Sequence, residues 1–193
     1  MIRDKNIEYK YQSLFLPAAA FATPSGGGGT LETVNLQEVG STGILAGDFD
    51  AAAERLLWSS TMPSHVDWDN DIFLRVVYAN QGTTSETVTW KIRLTHHAFG
   101  AAPATDDPTD SDTFTKELTL SDATNTTKHA IVATAWSELA ASVITSTKDF
   151  LSLVVELDAA AAGTYNMIGI ELKHLPKLTP SPQTNNQADP TDA

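Results

Sequence analysis

Three carboxylates at alternate positions, Asp67, Asp69 and Asp71, open the stretch "VDWDNDIFLRVVYA". They copy the first three acidic positions of a calcium loop. However, Ile72 stands where such a loop needs glycine, and Tyr78 where it needs a bidentate glutamate. An EF-hand is excluded, and the plainer reading is a polar approach to a strand whose apolar side begins at Ile72. The acidic run "TDDPTDSDT", residues 105 to 113, reads the same way, as a loop first and an ion site second. Adjacent His96 and His97 on a strand point to opposite faces and cannot share a metal easily. The five histidines show no HxH, HxxxH or HExxH spacing. A serine nucleophile would need a strained turn, and no GxSxG is present. The glycine run "SGGGGT" is followed by neither a lysine nor a helix start, so it is no phosphate loop. The sequence therefore predicts no catalytic residue, no metal and no cofactor: the protein is expected not to be an enzyme.

Composition narrows the partners. The 193 residues carry 12 Lys and Arg against 24 Asp and Glu, for a formal charge of −12. A phosphate backbone requires clustered cations, so nucleic acid is not an expected partner. No stretch approaches the ~20 apolar residues of a membrane-spanning helix, so no membrane partner is expected either. "MIRDKNIEYKYQ" lacks an apolar core after its charges, so no secretory leader is expected. With no cysteine, disulfides and thiolate sites are excluded.

The positioning elements read as strands. Val88, Trp90, Ile92 and Leu94 alternate with Thr87, Thr89, Lys91 and Arg93, which is period two over four cycles. Ile72, Leu74, Val76 and Tyr78 share one face of residues 71 to 79, with "NQGTTS" as the hairpin loop between the two runs. Further strands are predicted at 31–39, 53–62 (ending at Pro63), 114–120, 128–135, 149–157 and 165–174, with short helical pieces at 136–143 and 158–163. Trp58 and Trp90 are expected in the core, Trp68 and Trp136 near exposed strand ends, where they could stack on sugars. Together these runs predict an all-β fold, an antiparallel two-sheet sandwich of the jelly-roll type spanning residues 31–175. It is flanked by an extended N-terminal arm with a Gly-rich hinge (1–30) and an irregular C-terminal tail (176–193). The arm holds an apolar patch, Leu14, Phe15, Leu16, Pro17 and Phe21, expected to dock on its own domain or on a partner chain.

An ordered series of segments carries a resemblance. "LFLPAAAFATPSGG", "GDFDAAAERLLWSSTMP", "IFLRVVYANQGTTSETVTWKIRL" and "YNMIGIELKHL" together resemble a group of tailed-bacteriophage virion proteins with small jelly-roll domains. The match falls on Phe49, Asp50, Met62, Pro63, Trp90 and Gly169. Tyr78 stands where such proteins often carry Trp. The resemblance implies a virion structural protein made in the host cytoplasm and placed on the capsid exterior. Its implied role is that of a decoration (cement) protein forming a homotrimer on the major capsid protein or another virion protein. The alternative is a collar, tail or head-fibre component with a receptor- or glycan-binding role.

Overall fold

The computed structural model describes residues 11–23, 30–34, 44–61, 63–81, 87–97, 115–123, 127–144, 150–159 and 164–176. Eleven strands are described: β1 (Gln12–Pro17), β2 (Thr30–Val34), β3 (Ile44–Phe49), β4 (Arg55–Thr61), β5 (Ile72–Asn80), β6 (Thr87–His97), β7 (Lys116–Ala123), β8 (Ile131–Ala133), β9 (Ser137–Leu139), β10 (Phe150–Ala159) and β11 (Tyr165–His174). Two 3-10 turns, Ala18–Ala20 and Ala141–Val143, complete the elements, and no α-helix occurs among the described residues.

All pairings are antiparallel, and they form two sheets. The larger runs β2-β3-β11-β5-β8, with β1 also on β11 and β9 also on β5; the smaller runs β4-β10-β6-β7. This is the two-sheet jelly-roll sandwich expected from the alternation. The inward members, Leu74, Val76, Tyr78, Trp90, Ile92, Leu153, Val155 and Ile170, are fully or almost fully buried between the sheets. Phe49 meets Trp90 edge-on at 5.1 Å, and Tyr78 lies 5.7 Å from Trp90 and 6.3 Å from Tyr165, so offset aromatic pairs fill the centre. The Tyr78 hydroxyl reaches across to Asp122 of β7 at 3.2 Å. Burial first, then the Asp122 charge and hydrogen bond, push its phenol upward.

Three expectations change. Gln12–Pro17, expected within an extended arm that docks on its own domain or on a partner chain, is itself a strand of the larger sheet, registered from Gln12↔His174 to Pro17↔Gly169. Alternation explains it: Leu16 turns inward and is 8% exposed, whereas Phe15 turns out and is 45% exposed. Beyond the turn at Ala18–Ala20, Ala22 exchanges two backbone hydrogen bonds with Leu57 of β4, so this segment links the larger sheet to the smaller. Residues 136–143 are helical only in the 3-10 turn at Ala141–Val143. They form β9 and a 3-10 turn, because Leu139 is drawn into the core against β5 and the Asp71 carboxylate accepts a hydrogen bond from Ala141 N–H. β3 was not foreseen at all. Residues 24–29, 105–113 and 177–193, with the hinge, the second acidic run and the tail, lie outside the described residues.

The outward side of the smaller sheet carries an ion-pair ladder across all four strands. Glu156 of β10 forms an ion pair with Arg55 of β4 at 2.7 Å and accepts from Arg93 of β6 at 2.5 and 3.1 Å; Arg93 also reaches Glu117 of β7 at 2.9 Å. Arg93 and Glu156 are each 5% exposed. Burial opposes the charge on Arg93, but the hydrogen bonds and charges of Glu156 and Glu117 prevail, and its pKa is raised.

Candidate binding face

In the acidic cluster that opened the sequence, Asp67 and Asp71 accept hydrogen bonds from the protein itself. Asp67 folds back on its own turn, accepting from Asp69 N–H at 3.2 Å and from the Asn70 side-chain amide at 2.9 Å. Asp71 accepts from Ala141 N–H at 3.0 Å. Among the described residues no group of three or more His, Cys, Asp or Glu is placed to hold a metal. His174 is buried with Nδ1 at 2.8 Å from the Leu175 carbonyl, and His65 packs against it edge-on.

Side chains of mixed aromatic and cationic type gather instead on the outward side of the larger sheet. Register places Ser13, Lys173, Phe73 and Glu138 in one row across β1, β11, β5 and β9. Phe15, Glu171 and Arg75 form the next row, with Trp136 just before β9 beside Arg75. Four strands at ~4.8 Å spacing make this face roughly 14 Å wide. Arg75 is committed: it holds Glu171 at 2.8 Å through Nε and 2.6 Å through Nη2, and its guanidinium lies 4.3 Å from the Trp136 ring centroid. Burial pushes the Glu171 carboxyl up, but hydrogen bonds from Arg75 and Ser13, with the charges of Arg75 and Lys173, outweigh it and hold the pKa low. Lys173 is held differently. Its ammonium sits 5.2 Å from the Tyr11 ring and 5.7 Å from the Trp136 ring, and no carboxylate forms an ion pair with it among the described residues. Tyr11 packs edge-on against Phe73 at 5.8 Å and is 42% exposed.

Beside this face runs an apolar flank. Phe15 and, on β3, Ile44 and Leu45 are 40–45% exposed, and β3 packs against the turn that follows β1. Of the five arm residues expected to dock on their own domain or on a partner and assigned to partner binding, Leu16 and Phe21 dock on the domain's own core instead of a partner, 8% and 4% exposed, because β1 and its turn seat them between the sheets. Leu14 is half-buried against the same core, while Phe15 and Pro17 remain outward. Trp68, expected near the surface, is 2% exposed and donates its indole N–H to the Pro63 carbonyl at 3.2 Å. Trp58, expected in the core, is only partly buried against it, and Trp136 is half-buried beside Arg75. Sequence reasoning missed Tyr11, Phe73 and Lys173. The available signal was an aromatic residue at an outward position of a strand, where alternation calls for a polar one.

With these side chains Tyr11, Phe15, Phe73 and Trp136 can offer flat apolar contact, and Lys173 a positive charge, to something that rests on the sheet. Fold and face define a β-sandwich with an amphipathic outer surface. No protein-family model and no curated protein matches the chain. Among solved structures it is similar to a family 35 carbohydrate-binding module from Clostridium thermocellum, at 15% identity and TM-score 0.48, covering 83% of this chain and 97% of that one. It is also similar to a family 35 module from an environmental isolate, at 16% identity and TM-score 0.48, covering 86% and 99%. A third is CBM35 of Cellvibrio japonicus Abf62, at 15% identity and TM-score 0.45, covering 87% and 100%.

Proposed function

We propose that this chain is a non-enzymatic structural protein of a tailed-bacteriophage virion, a decoration protein that sits on the capsid exterior as a homotrimer. The sequence resemblance supports the virion assignment. The observation that carries the contact role is the apolar flank: Phe15, Ile44 and Leu45 stand in water on β1 and β3, which lie end to end along the same side of β11. Ile44 and Leu45 are neighbours on their strand and turn to opposite sides of it, so the exposed apolar side chains surround the start of β3. Exposed large apolar side chains grouped in this way mark interaction surfaces, and aromatic residues are enriched at interface centres. This flank would meet the neighbouring subunit, the major capsid protein or another virion protein.

The test is to raise antibodies against the chain and count gold particles on purified virions, alongside light scattering of the isolated protein. Labelling over the whole shell and a trimeric mass support the reading, and Phe15→Ser with Leu45→Ser should reduce both. Particles without the protein overturn it. A few copies at one vertex or at the tail would favour the second reading, a collar, tail or head-fibre component that binds glycan. That reading is favoured by the Tyr11, Lys173 and Trp136 arrangement, which adjoins the apolar flank at Phe15.

A further inference from the structure

We infer that the outer face of the larger sheet around Lys173 binds a saccharide that carries a carboxylate. Its acid group would lie on the Lys173 ammonium and its pyranose ring against Tyr11 and Trp136. This rests on the glycan-binding reading and gives it a substrate class. The starting observation is the contrast between two neighbouring cations. Arg75 is neutralised by Glu171 and fixed beneath Trp136, so it serves as a base for that ring. Lys173 has no such partner among the described residues, and Glu171, whose charge it feels, is already taken by Arg75 and Ser13. Its ammonium is flanked by two ring faces, at 5.2 and 5.7 Å, within the ~6 Å reach of a cation–π contact. Ring faces do not accept the ammonium's three strong donors as a carboxylate would. The arrangement thus steadies a cation in the midst of aromatic surface while leaving its hydrogen-bonding capacity for a ligand.

The rest of the ligand follows from the surroundings. The negative ring faces of Tyr11 and Trp136 suit the polarised C–H bonds on one side of a pyranose. An acidic peptide fits less well. β11 is paired with β1 and β3 on one side and β5 on the other, and β5 with β8 and β9, so at Lys173 the surface offers side chains and no free backbone ladder for strand addition. Nucleic acid fits worse, because one available ammonium on a chain of net charge −12 does not follow a phosphate backbone. The same overall charge repels an acidic ligand at a distance, but physiological salt confines that repulsion to about 8 Å. Contact chemistry then decides.

The test is an NMR titration of the isotopically labelled full chain with an oligogalacturonate and with its fully methyl-esterified form, which keeps the rings and loses the charge. The expected result is shifts at Phe73, Lys173 and the Trp136 indole with the acid form. Binding should be about tenfold weaker for the ester and for Lys173→Met, which keeps an apolar stem of similar length. Trp136→Ala should also weaken it, whereas Lys91→Met, on the opposite sheet and paired with Asp158, should not. Unchanged resonances in the rest of the sandwich report that each variant is folded. Equal affinity for acid and ester, lost only in Trp136→Ala, overturns the acidic assignment and leaves the glycan-binding reading standing. If neither sugar moves this face of the wild-type chain, both are overturned, and the virion role is judged separately by its own test.

Discussion

Gly169→Ala should dislodge β1 from the sheet. A methyl group built at Gly169 would stand 2.7 Å from Phe15 Cζ and closer still to the Leu16 carbonyl oxygen. The first neighbour is a ring tip that can swing; the second is main chain held by the β1–β11 register and cannot yield without moving the strand. Overpacking a filled site costs about 1–3 kcal/mol, and the backbone partner places this substitution near the upper end. For a chain of this size each kcal/mol lowers the melting temperature by about 2–4 °C, which gives a drop of roughly 6–12 °C. β11 is also held by β5, so β1 should be the element that lifts. Hydrogen exchange should then quicken across residues 12–17 before the rest of the sandwich. Gly47→Ala makes a control, since the atoms nearest its methyl group belong to the side chains of Leu56 and Phe49, so the exchange at β1 should stay slow. If Gly169→Ala melts within about 2 °C of wild type, with residues 12–17 equally protected, the glycine is not the seat of this strand.

Glu156→Ala takes from buried Arg93 the carboxylate it holds through both terminal nitrogens, and a broken buried pair of this kind costs about 3–5 kcal/mol, to be read from urea unfolding. Glu171 has a folded pKa below its ordinary value of 4.5, so its pairing stabilises the fold above that value and is lost as pH falls through the lowered one. Glu171→Gln should therefore lower stability at neutral pH and flatten the acid limb of the stability–pH curve; an unchanged limb would count against the Arg75 pairing. Asp71→Ala removes the acceptor for Ala141 N–H and should cost about 1 kcal/mol, with faster exchange at that amide as the specific sign. Ala53 holds a left-handed φ of 68°, which costs a residue with a Cβ about 1–2 kcal/mol, so Ala53→Gly should raise the melting temperature slightly, the reverse of the usual effect of adding glycine.

The long strands were legible because one face of each is buried and the other is not. Ile72 to Tyr78 and Val88 to Leu94 write that difference directly into the chain, and the structure buries those inward residues. β1 carries the same alternation, Leu14 and Leu16 against Ser13 and Phe15, but it is short, ends in Pro17 and is followed by three alanines, which read as an arm. β3 was hidden because Gly47 occupies an inward position, where Leu56 of the facing sheet fills the space a side chain would take. The alanine-rich stretch after Trp136 looked helical, yet local propensity gave way to pairing with β5. The binding face was the least legible. Tyr11, Phe73, Trp136 and Lys173 are distant in sequence, and only strand register brings them together.

The pairing of β1 with β11 also bears on biosynthesis. β1 leaves the ribosome before β11 and must wait for it before the hydrogen bonds between them can close. Until then the ribosome holds a half-built sandwich with Leu16 and Phe21 uncovered and no place prepared for them. Closure of such distant ends is slow, so the nascent chain passes through a window in which it depends on chaperones, or on dilution, to avoid sticking to its neighbours.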